Sequence, residues 1–215
     1  MIQITKHQST INLTIEIYLI NKTNDGTINL YMLANAIKKQ IEAVYTKKFN
    51  EFELMCIVTV TPLYKYKLKQ LVNKLIFAVS NYITNNNVAE ANFCGSLVKI
   101  NANQVSAIIN KQNVRTVPHE VGHLLGFDHP HARAKFNSVN EHASELEKNM
   151  TEEERRVNLM SQTWYIQESG VKEIDALNLT ESQLKLLIIN FDDKHLNKNN
   201  NIKASVFGWR WTTQF

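Results

Sequence analysis

The sequence predicts an α+β protein in which separate strands and helices pack around one core. Three observations predict this fold class. Apolar and polar residues alternate over 11–20, which is typical of a half-buried strand, and apolar residues recur at helical spacing over 29–48. Thr180, followed three residues later by Gln183, forms a capping-box pattern that predicts another helix through Asn190.

The other elements of the first half are strands, turns and loops, rich in β-forming residues or in asparagine. They are a turn at 24–27, a strand at 51–63, a buried strand at 75–80, an Asn-rich loop at 84–88 and a strand at 96–101. The start of the stretch 65–83 also fits a helix, so this region stays ambiguous.

Two histidines lie four residues apart on a predicted helix at about 113–125. Positions i and i+4 of a helix lie on one face, so His119 and His123 can bind one ion together. Pro118 is favoured in the first turn of a helix, which places the start of this helix near it.

The residues that follow complete the pattern of a catalytic metal site. Glu120 comes directly after the first histidine, where its carboxylate can reach a water on the same metal. Gly126 lets the chain leave the helix in a conformation that other residues avoid, which brings His129 round as a third ligand. Three neutral imidazoles leave a fourth position for water, the arrangement of a catalytic zinc.

The order His-Glu-x-x-His-x-x-Gly-x-x-His resembles the signature of the metzincin clan of zinc peptidases. The signature positions fall on His119, Glu120, His123, Gly126 and His129. The resemblance implies a zinc-dependent endopeptidase that acts on protein or peptide substrates. It also implies one catalytic Zn²⁺, three histidine ligands and Glu120 as the base that activates a zinc-bound water.

The clan's second motif is a turn whose methionine lies beneath the imidazoles. The short stretch Asn158–Ser161 resembles it and supplies Met160. Some metzincins have a tyrosine two residues after this methionine, where this chain has Gln162. Tyr165 lies three residues further on and is a candidate substrate-binding residue.

The resemblance also implies an architecture. It is a two-lobed catalytic domain with a mixed twisted sheet, a backing helix, an active-site helix and a C-terminal helix after the methionine turn. The whole chain, 1–215, is then one domain, with an upper lobe of about 1–126 and a lower lobe of about 127–215. Residues 130–157 are polar and charged, and are expected to form a surface excursion.

In this clan an edge strand before the active helix pairs with extended substrate. The residues expected to do so here are Gly95, Ser96, Leu97 and Val98. An ordinary core strand is the alternative interpretation of the same stretch.

Two alternatives for the site stay open. In gluzincin-type zinc peptidases the third ligand is a glutamate on a later helix, and Glu141, Glu145 and Glu147 fall near the required distance. Their stretch is densely charged, which usually marks a solvated helix face. The other alternative is a non-catalytic zinc- or peptide-binding module, although binding alone does not need Glu120.

Composition limits the other functions. The net charge is +4, and no glycine-rich phosphate loop or basic stripe with stacking aromatics occurs, so we expect no nucleic-acid partner. No apolar run approaches the roughly 20 residues that span a bilayer, and the alternating start lacks the apolar core of a signal peptide. Cys56 and Cys94 are isolated and are expected to be buried free thiols.

A finer resemblance, over roughly 95–190, is to peptidase domains of bacterial polymorphic toxins and to small Bacteroidetes secreted peptidases. It implies an effector that is secreted or delivered by a specialised route and cuts proteins of a rival or host cell, with an inhibitor or immunity protein as a further partner. The protein is expected to be a monomer. The aromatic stretch 207–211 is expected to dock on the body or to cover an interface.

Overall fold

The computed structural model describes residues 1–83, 87–131 and 142–198 of the chain. The described strands are β1 (Ile2–His7), β2 (Thr10–Asn21), β3 (Lys47–Lys48), β4 (Glu53–Leu63), β5 (Leu75–Ser80), β6 (Ala89–Ala91) and β7 (Leu97–Asn101). The described α-helices are α1 (Leu30–Tyr45), α2 (Val105–Ile109), α3 (Thr116–Leu124), α4 (Glu145–Lys148), α5 (Glu152–Arg156), α6 (Thr163–Glu168) and α7 (Glu181–Asp192). Among these helices none is both long and apolar enough to cross a membrane.

The strands form one mixed sheet, which confirms the predicted α+β class. Its order is β3-β4-β2-β5-β7-β6, and β1 pairs with β2 outside this path. β2 is parallel to β4 and β5, and β5 is parallel to β7. The pairings of β1 with β2, β3 with β4, and β6 with β7 are antiparallel. β6 therefore ends the sheet at the side where α3 packs.

Helix α1 is the backing helix. Asn29 caps its start by accepting a hydrogen bond from the N–H of Met32, at 3.0 Å. Its apolar stripe, which includes Leu33, Ile37 and Ile41, is fully buried with the inner residues of β2, β4 and β5. Burial of this continuous apolar face is the main force that fixes the helix on the sheet.

Tyr45, the last residue of α1, joins the backing helix to the helix with the histidines. Its side chain is fully buried, and its hydroxyl donates a hydrogen bond to the carbonyl of Pro118 at 2.9 Å. A buried tyrosine hydroxyl needs such a partner, so the contact fixes the start of α3 against the core.

Most predicted elements are present with shifted ends. The helix expected at 29–48 stops at Tyr45 because Lys47 and Lys48 pair with β4. The helix expected from about 113 begins at Thr116 and contains Pro118 in its first turn. The capping box at Thr180 is confirmed, and α7 follows it. In the ambiguous stretch, a short 3-10 helix at 68–70 precedes β5.

Three described strands, β1, β3 and β6, were missing from the predicted elements. β6 has only three residues, too few for an alternating pattern to be recognised. The expected aromatic contact of 207–211 lies outside the described residues, as does part of the expected excursion at 130–157. The division into two lobes stays a prediction.

Candidate metal centre

Three histidine side chains converge at the end of α3. His119, His123 and His129 each place a ring nitrogen within 4.8 Å of the others, so together they can hold a metal ion. The Nε2 atoms of His119 and His129 are 3.1 Å apart. In the described part of the chain this is the cluster with metal-binding potential, and it contains the three residues that the sequence predicted.

The turn after α3 brings the third histidine to the other two. Gly126 has φ +83°, and its N–H donates to the carbonyl of His123 at 3.1 Å. A Cβ at this position would lie 3.0 Å from the Sγ of Cys94 and 3.1 Å from the Cγ of Asn190. Both the left-handed backbone and the close packing therefore require glycine here.

Carbonyl groups orient two of the imidazoles. The Nδ1 of His119 is 2.8 Å from the carbonyl of Leu159, and the Nδ1 of His123 is 2.9 Å from the carbonyl of Phe127. A carbonyl can only accept, so in each ring Nδ1 carries the proton and Nε2 keeps the lone pair. This is the tautomer in which Nε2 binds a metal.

The protein keeps the three imidazoles neutral without a metal. Loss of surrounding solvent lowers the pKa of all three rings, and neighbouring imidazoles and Arg115 lower it further for His119 and His129. The pKa of His129 falls to about 3. Because metal binding needs unprotonated imidazole, the site does not have to lose protons at neutral pH before it binds an ion.

Glu120 follows the first histidine on α3, and its carboxyl has a raised pKa whereas the imidazoles have lowered ones. It is buried, and desolvation together with the charge of Glu90 raises the pKa of its carboxyl to about 8, although a hydrogen bond from the Ala91 N–H opposes this. Without a metal, this carboxyl is largely protonated at pH 7. A buried carboxyl whose pKa lies near neutral is typical of a general acid or base.

Met160 packs against α3 on the side of Gly122. It is fully buried, and a Cβ on Gly122 would overlap its Sδ and lie 3.0 Å from its Cε. The Met160 N–H donates to the Oδ1 of Asn158 at 2.9 Å, and the Asn158 amide pairs with the Gln183 amide of α7. The turn at 158–161 is thus held between α3 and α7, next to the two histidines of α3.

Arg115 is a residue of the site to which sequence reasoning assigned no role. Its buried guanidinium donates to the carbonyl of Leu159 at 2.7 Å and also to that of Ser161. Burial lowers its pKa to about 10, so it stays charged at neutral pH. Its position four residues before His119 puts it on the same helix face, which was the available signal.

Residues after Met160 surround His129. The Nε2 of Gln162 is 3.3 Å from the Nδ1 of His129, and the indole N–H of Trp164 donates to the Oε1 of Gln162. The ring of Tyr165 stacks on His131 with centroids 3.6 Å apart, and its hydroxyl donates to Glu152. A substrate-binding role for Tyr165 stays a prediction.

The expected edge strand is placed differently. β7, with Leu97 and Val98, lies between β5 and β6, so it is paired on both sides, and Gly95 and Ser96 lead into it. The end of the sheet beside α3 is β6 instead. The expectation that 95–98 form an edge is therefore wrong, because the sequence pattern did not reveal the short strand outside it.

The glutamates of the alternative ligand set have other contacts. The Glu147 carboxylate accepts from backbone N–H groups of Asp128 and Ser144, and exposed Glu145 pairs with Lys148 at 2.9 Å. Glu141 lies outside the described residues. Within the described part of the chain the metal-capable cluster is formed by histidines, which does not support a glutamate as the third ligand.

Comparison with known proteins gave matches to solved structures alone. No family model matches the sequence, and no curated protein matches it. Archaemetzincin (AmzA) from Archaeoglobus fulgidus, complexed with malonate, is 16% identical with a TM-score of 0.41, over 80% of this chain and 99% of that one. Metalloproteinase-II from Bacteroides fragilis is 12% identical with a TM-score of 0.43, over 86% of this chain and 54% of that one.

A third structure, of a chaperone-substrate complex, is 14% identical with a TM-score of 0.34. This match covers 55% of the present chain and only 25% of the other chain. The present chain therefore spans a quarter of the length of that structure and about half of the Bacteroides enzyme.

Proposed function

We propose that this protein is a zinc-dependent endopeptidase of the metzincin type. The observation that carries the proposal is the cluster of His119, His123 and His129, with Glu120 next to the first histidine on the same helix. The turn at Gly126 and the packing of Met160 against α3 support the finer assignment.

The residues present fit a zinc ion. Two of the three imidazoles have Nδ1 engaged by carbonyls, which leaves Nε2 as the ligand atom, and all three are neutral at pH 7. Three histidines are a ligand set of catalytic zinc, because the fourth position stays open. When bound, zinc would polarise a substrate carbonyl and lower the pKa of a coordinated water to about 7.

Glu120 would move the protons of the reaction. Its carboxylate would accept a proton from the attacking water and then donate it to the departing amine. The N–H of Ala91 donates a hydrogen bond to this carboxyl, which links the proposed base to β6. A bound zinc ion would lower the pKa of this carboxyl from its metal-free value of about 8, which favours the carboxylate that accepts the first proton.

We further propose that an extended peptide substrate pairs with β6 rather than with residues 95–98. β6 ends the sheet and packs against α3, and its Ala91 touches the proposed base. Backbone pairing along a sheet edge binds peptides of many sequences, which suits an endopeptidase.

The decisive experiment measures metal and cleavage on the same preparations. The wild type should contain one zinc per chain and cleave casein, with loss of cleavage in a chelator and recovery on adding Zn²⁺. Glu120→Gln should keep its zinc and lose about 10²–10⁴-fold in rate. His123→Ala should lose the zinc itself, whereas exposed Glu153→Gln is the control that should change neither.

Each result has a definite meaning. A full rate in Glu120→Gln would refute the role of this carboxyl, and zinc-free wild type would refute the metal site. Wild type that binds zinc but cleaves no protein would instead favour a peptide-binding module.

From the finer sequence resemblance we also propose a delivered effector that cuts proteins of another cell. Expression in the cytosol should then be toxic with the wild type and harmless with Glu120→Gln. Harmless expression of an enzyme shown to be active in the same extracts would refute this role.

A further inference from the structure

Glu147 is a buried carboxylate near the metal centre that the proposed chemistry does not use. Only 1% of the residue is exposed. Its Oε1 accepts from the N–H of Asp128 at 2.9 Å, and its Oε2 accepts from the N–H of Ser144 at 3.1 Å and from the Ser144 hydroxyl at 2.9 Å. Three donors thus converge on one carboxylate of α4, and one of them comes from the segment between the second and third histidines.

The peptide group that Glu147 contacts also contacts a metal ligand. The N–H of Asp128 and the carbonyl of Phe127 belong to the same peptide bond, and that carbonyl accepts from the Nδ1 of His123 at 2.9 Å. The described chain has no cis peptide bonds, so this carbonyl and N–H point in opposite directions. The order in space is therefore carboxylate, peptide group, imidazole.

Such an arrangement transmits charge by polarisation. A carboxylate that accepts from a peptide N–H makes the carbonyl of the same peptide a stronger acceptor, because hydrogen bonds in a chain reinforce one another. A stronger acceptor on Nδ1 increases the basicity of Nε2, the metal-binding atom of the ring.

The same contact fixes the segment that leads to the third ligand. Asp128 precedes His129, and its Oδ1 accepts from the His129 N–H at 2.7 Å. Holding the Asp128 backbone therefore restricts the approach of His129 as well as the orientation of His123.

We propose that Glu147 is a positioning residue of the metal centre, acting through the Phe127–Asp128 peptide group on His123 and His129. The proposal rests on the proposed zinc site, although not on peptidase activity. It predicts that Glu147 raises the affinity for Zn²⁺ while touching neither the metal nor a ligand.

A purely local role is the alternative, because Glu147 is also part of the capping box that starts α4. Ser144→Ala separates the two roles, since it removes the serine side chain of the box and leaves the contact with Asp128 intact. Glu147→Gln removes the negative charge that polarises the Phe127–Asp128 peptide group and places an amide N–H₂ against one of the two backbone donors, so it weakens the relay. Glu145, exposed and two residues earlier on α4, offers Glu145→Gln as the matched control.

The experiment measures the Zn²⁺ dissociation constant of the metal-free full chain by competition with a chromophoric chelator at pH 8. This pH is chosen because burial raises the pKa of Glu147 to about 7, so the carboxylate form predominates above it. Loss of an outer partner of a metal ligand typically weakens binding about 10–100-fold. We therefore expect at least about 10-fold weaker binding for Glu147→Gln, with Ser144→Ala and Glu145→Gln within about threefold of the wild type. Circular dichroism of the metal-free variants checks that each one is folded.

If Glu147→Gln does not fold, a measurement on the wild type tests the proposal instead. In the zinc-loaded protein, the Nδ1 proton of His123 should be visible by NMR and protected from exchange, with its resonance shifted downfield by the polarised carbonyl. An Nδ1 proton that exchanges as fast as in a free imidazole would overturn the proposal.

The remaining outcomes separate this inference from the proposed function. Equal zinc affinity of Glu147→Gln and wild type overturns the inference alone, as does an equal loss in Ser144→Ala. Wild type that binds zinc without cleaving protein refutes the peptidase and leaves the inference to be judged by the affinities. Wild type without zinc affinity overturns both.

Discussion

Met160 packs directly against Gly122, and this contact predicts the effect of Gly122→Ala on stability. Gly122→Ala would place a methyl group on the Sδ of Met160, 3.0 Å from its Cε and 3.3 Å from the hydroxyl of Tyr45. Met160 and Tyr45 are fully buried, so neither can move aside without disturbing the core. Overpacking of this kind costs about 1–3 kcal/mol.

Helix propensity acts in the opposite direction. Replacing a helical glycine by alanine stabilises a helix by about 1 kcal/mol, so the net destabilisation should be about 0–2 kcal/mol. Met160→Ala alone should cost about 2–5 kcal/mol through the cavity it leaves. In the Met160→Ala protein the Sδ atom is absent and the new methyl group has room, so Gly122→Ala should stabilise that protein by up to about 1 kcal/mol.

The assay is urea unfolding of the four metal-free proteins of this double-mutant cycle. The expected coupling energy is about 1–3 kcal/mol, equal to the overpacking cost that Met160→Ala removes. Gly26→Ala is the control, because Gly26 is exposed with nothing within 4 Å of an added Cβ. Equal effects of Gly122→Ala in both backgrounds would refute the contact.

Three further changes test the site and the core. Burial raises the pKa of Glu120 to about 8, above its unfolded value of 4.5, so the metal-free wild type loses stability as the pH rises between those values. Glu120→Gln lacks this titration and should gain stability relative to the wild type from pH 5 to 8, by at most about 1.4 kcal/mol per pH unit. Urea unfolding measures the difference, and a difference that does not change with pH would contradict this. Arg115→Leu leaves the buried Ser161 carbonyl without its donor and removes one of the two donors to the Leu159 carbonyl, the other being His119, so it should lower the unfolding free energy by about 1–3 kcal/mol. Arg156→Leu is the control, because its side chain is half exposed and its loss should cost under about 0.5 kcal/mol. Burial raises the pKa of the Cys56 thiol to about 12 and also raises that of Cys94. Ellman's reagent at pH 8 should therefore modify neither thiol until denaturant is added. Rapid labelling of the native protein would contradict the burial of these thiols.

The local parts of the fold were predictable from sequence. Alternation identified β2, helical spacing identified α1, and the capping box at Thr180 identified α7, because each pattern arises within one element. The three histidines were predictable for the same reason, since one helix turn and one glycine determine how they approach each other.

The contacts that support the site were not predictable in this way. Arg115 reaches carbonyls more than forty residues later in the chain, and Glu147 reaches back nineteen residues to Asp128. The densely charged stretch around Glu147 is typical of a solvated surface, yet this carboxylate is buried because three donors replace its water. Such long-range pairings depend on the whole fold and leave no periodic signal in the sequence.

The closing of the Gly126 turn by α7 has a consequence for the order of events during synthesis. Asn190 donates its side-chain N–H to the carbonyl of Leu125 at 3.1 Å, so the turn that carries the third histidine is completed by a residue made about sixty positions later. At about 5–20 residues per second, a ribosome needs roughly 3–12 s to add that stretch. A nascent chain therefore carries all three histidines for several seconds before it carries the helix that holds them in place.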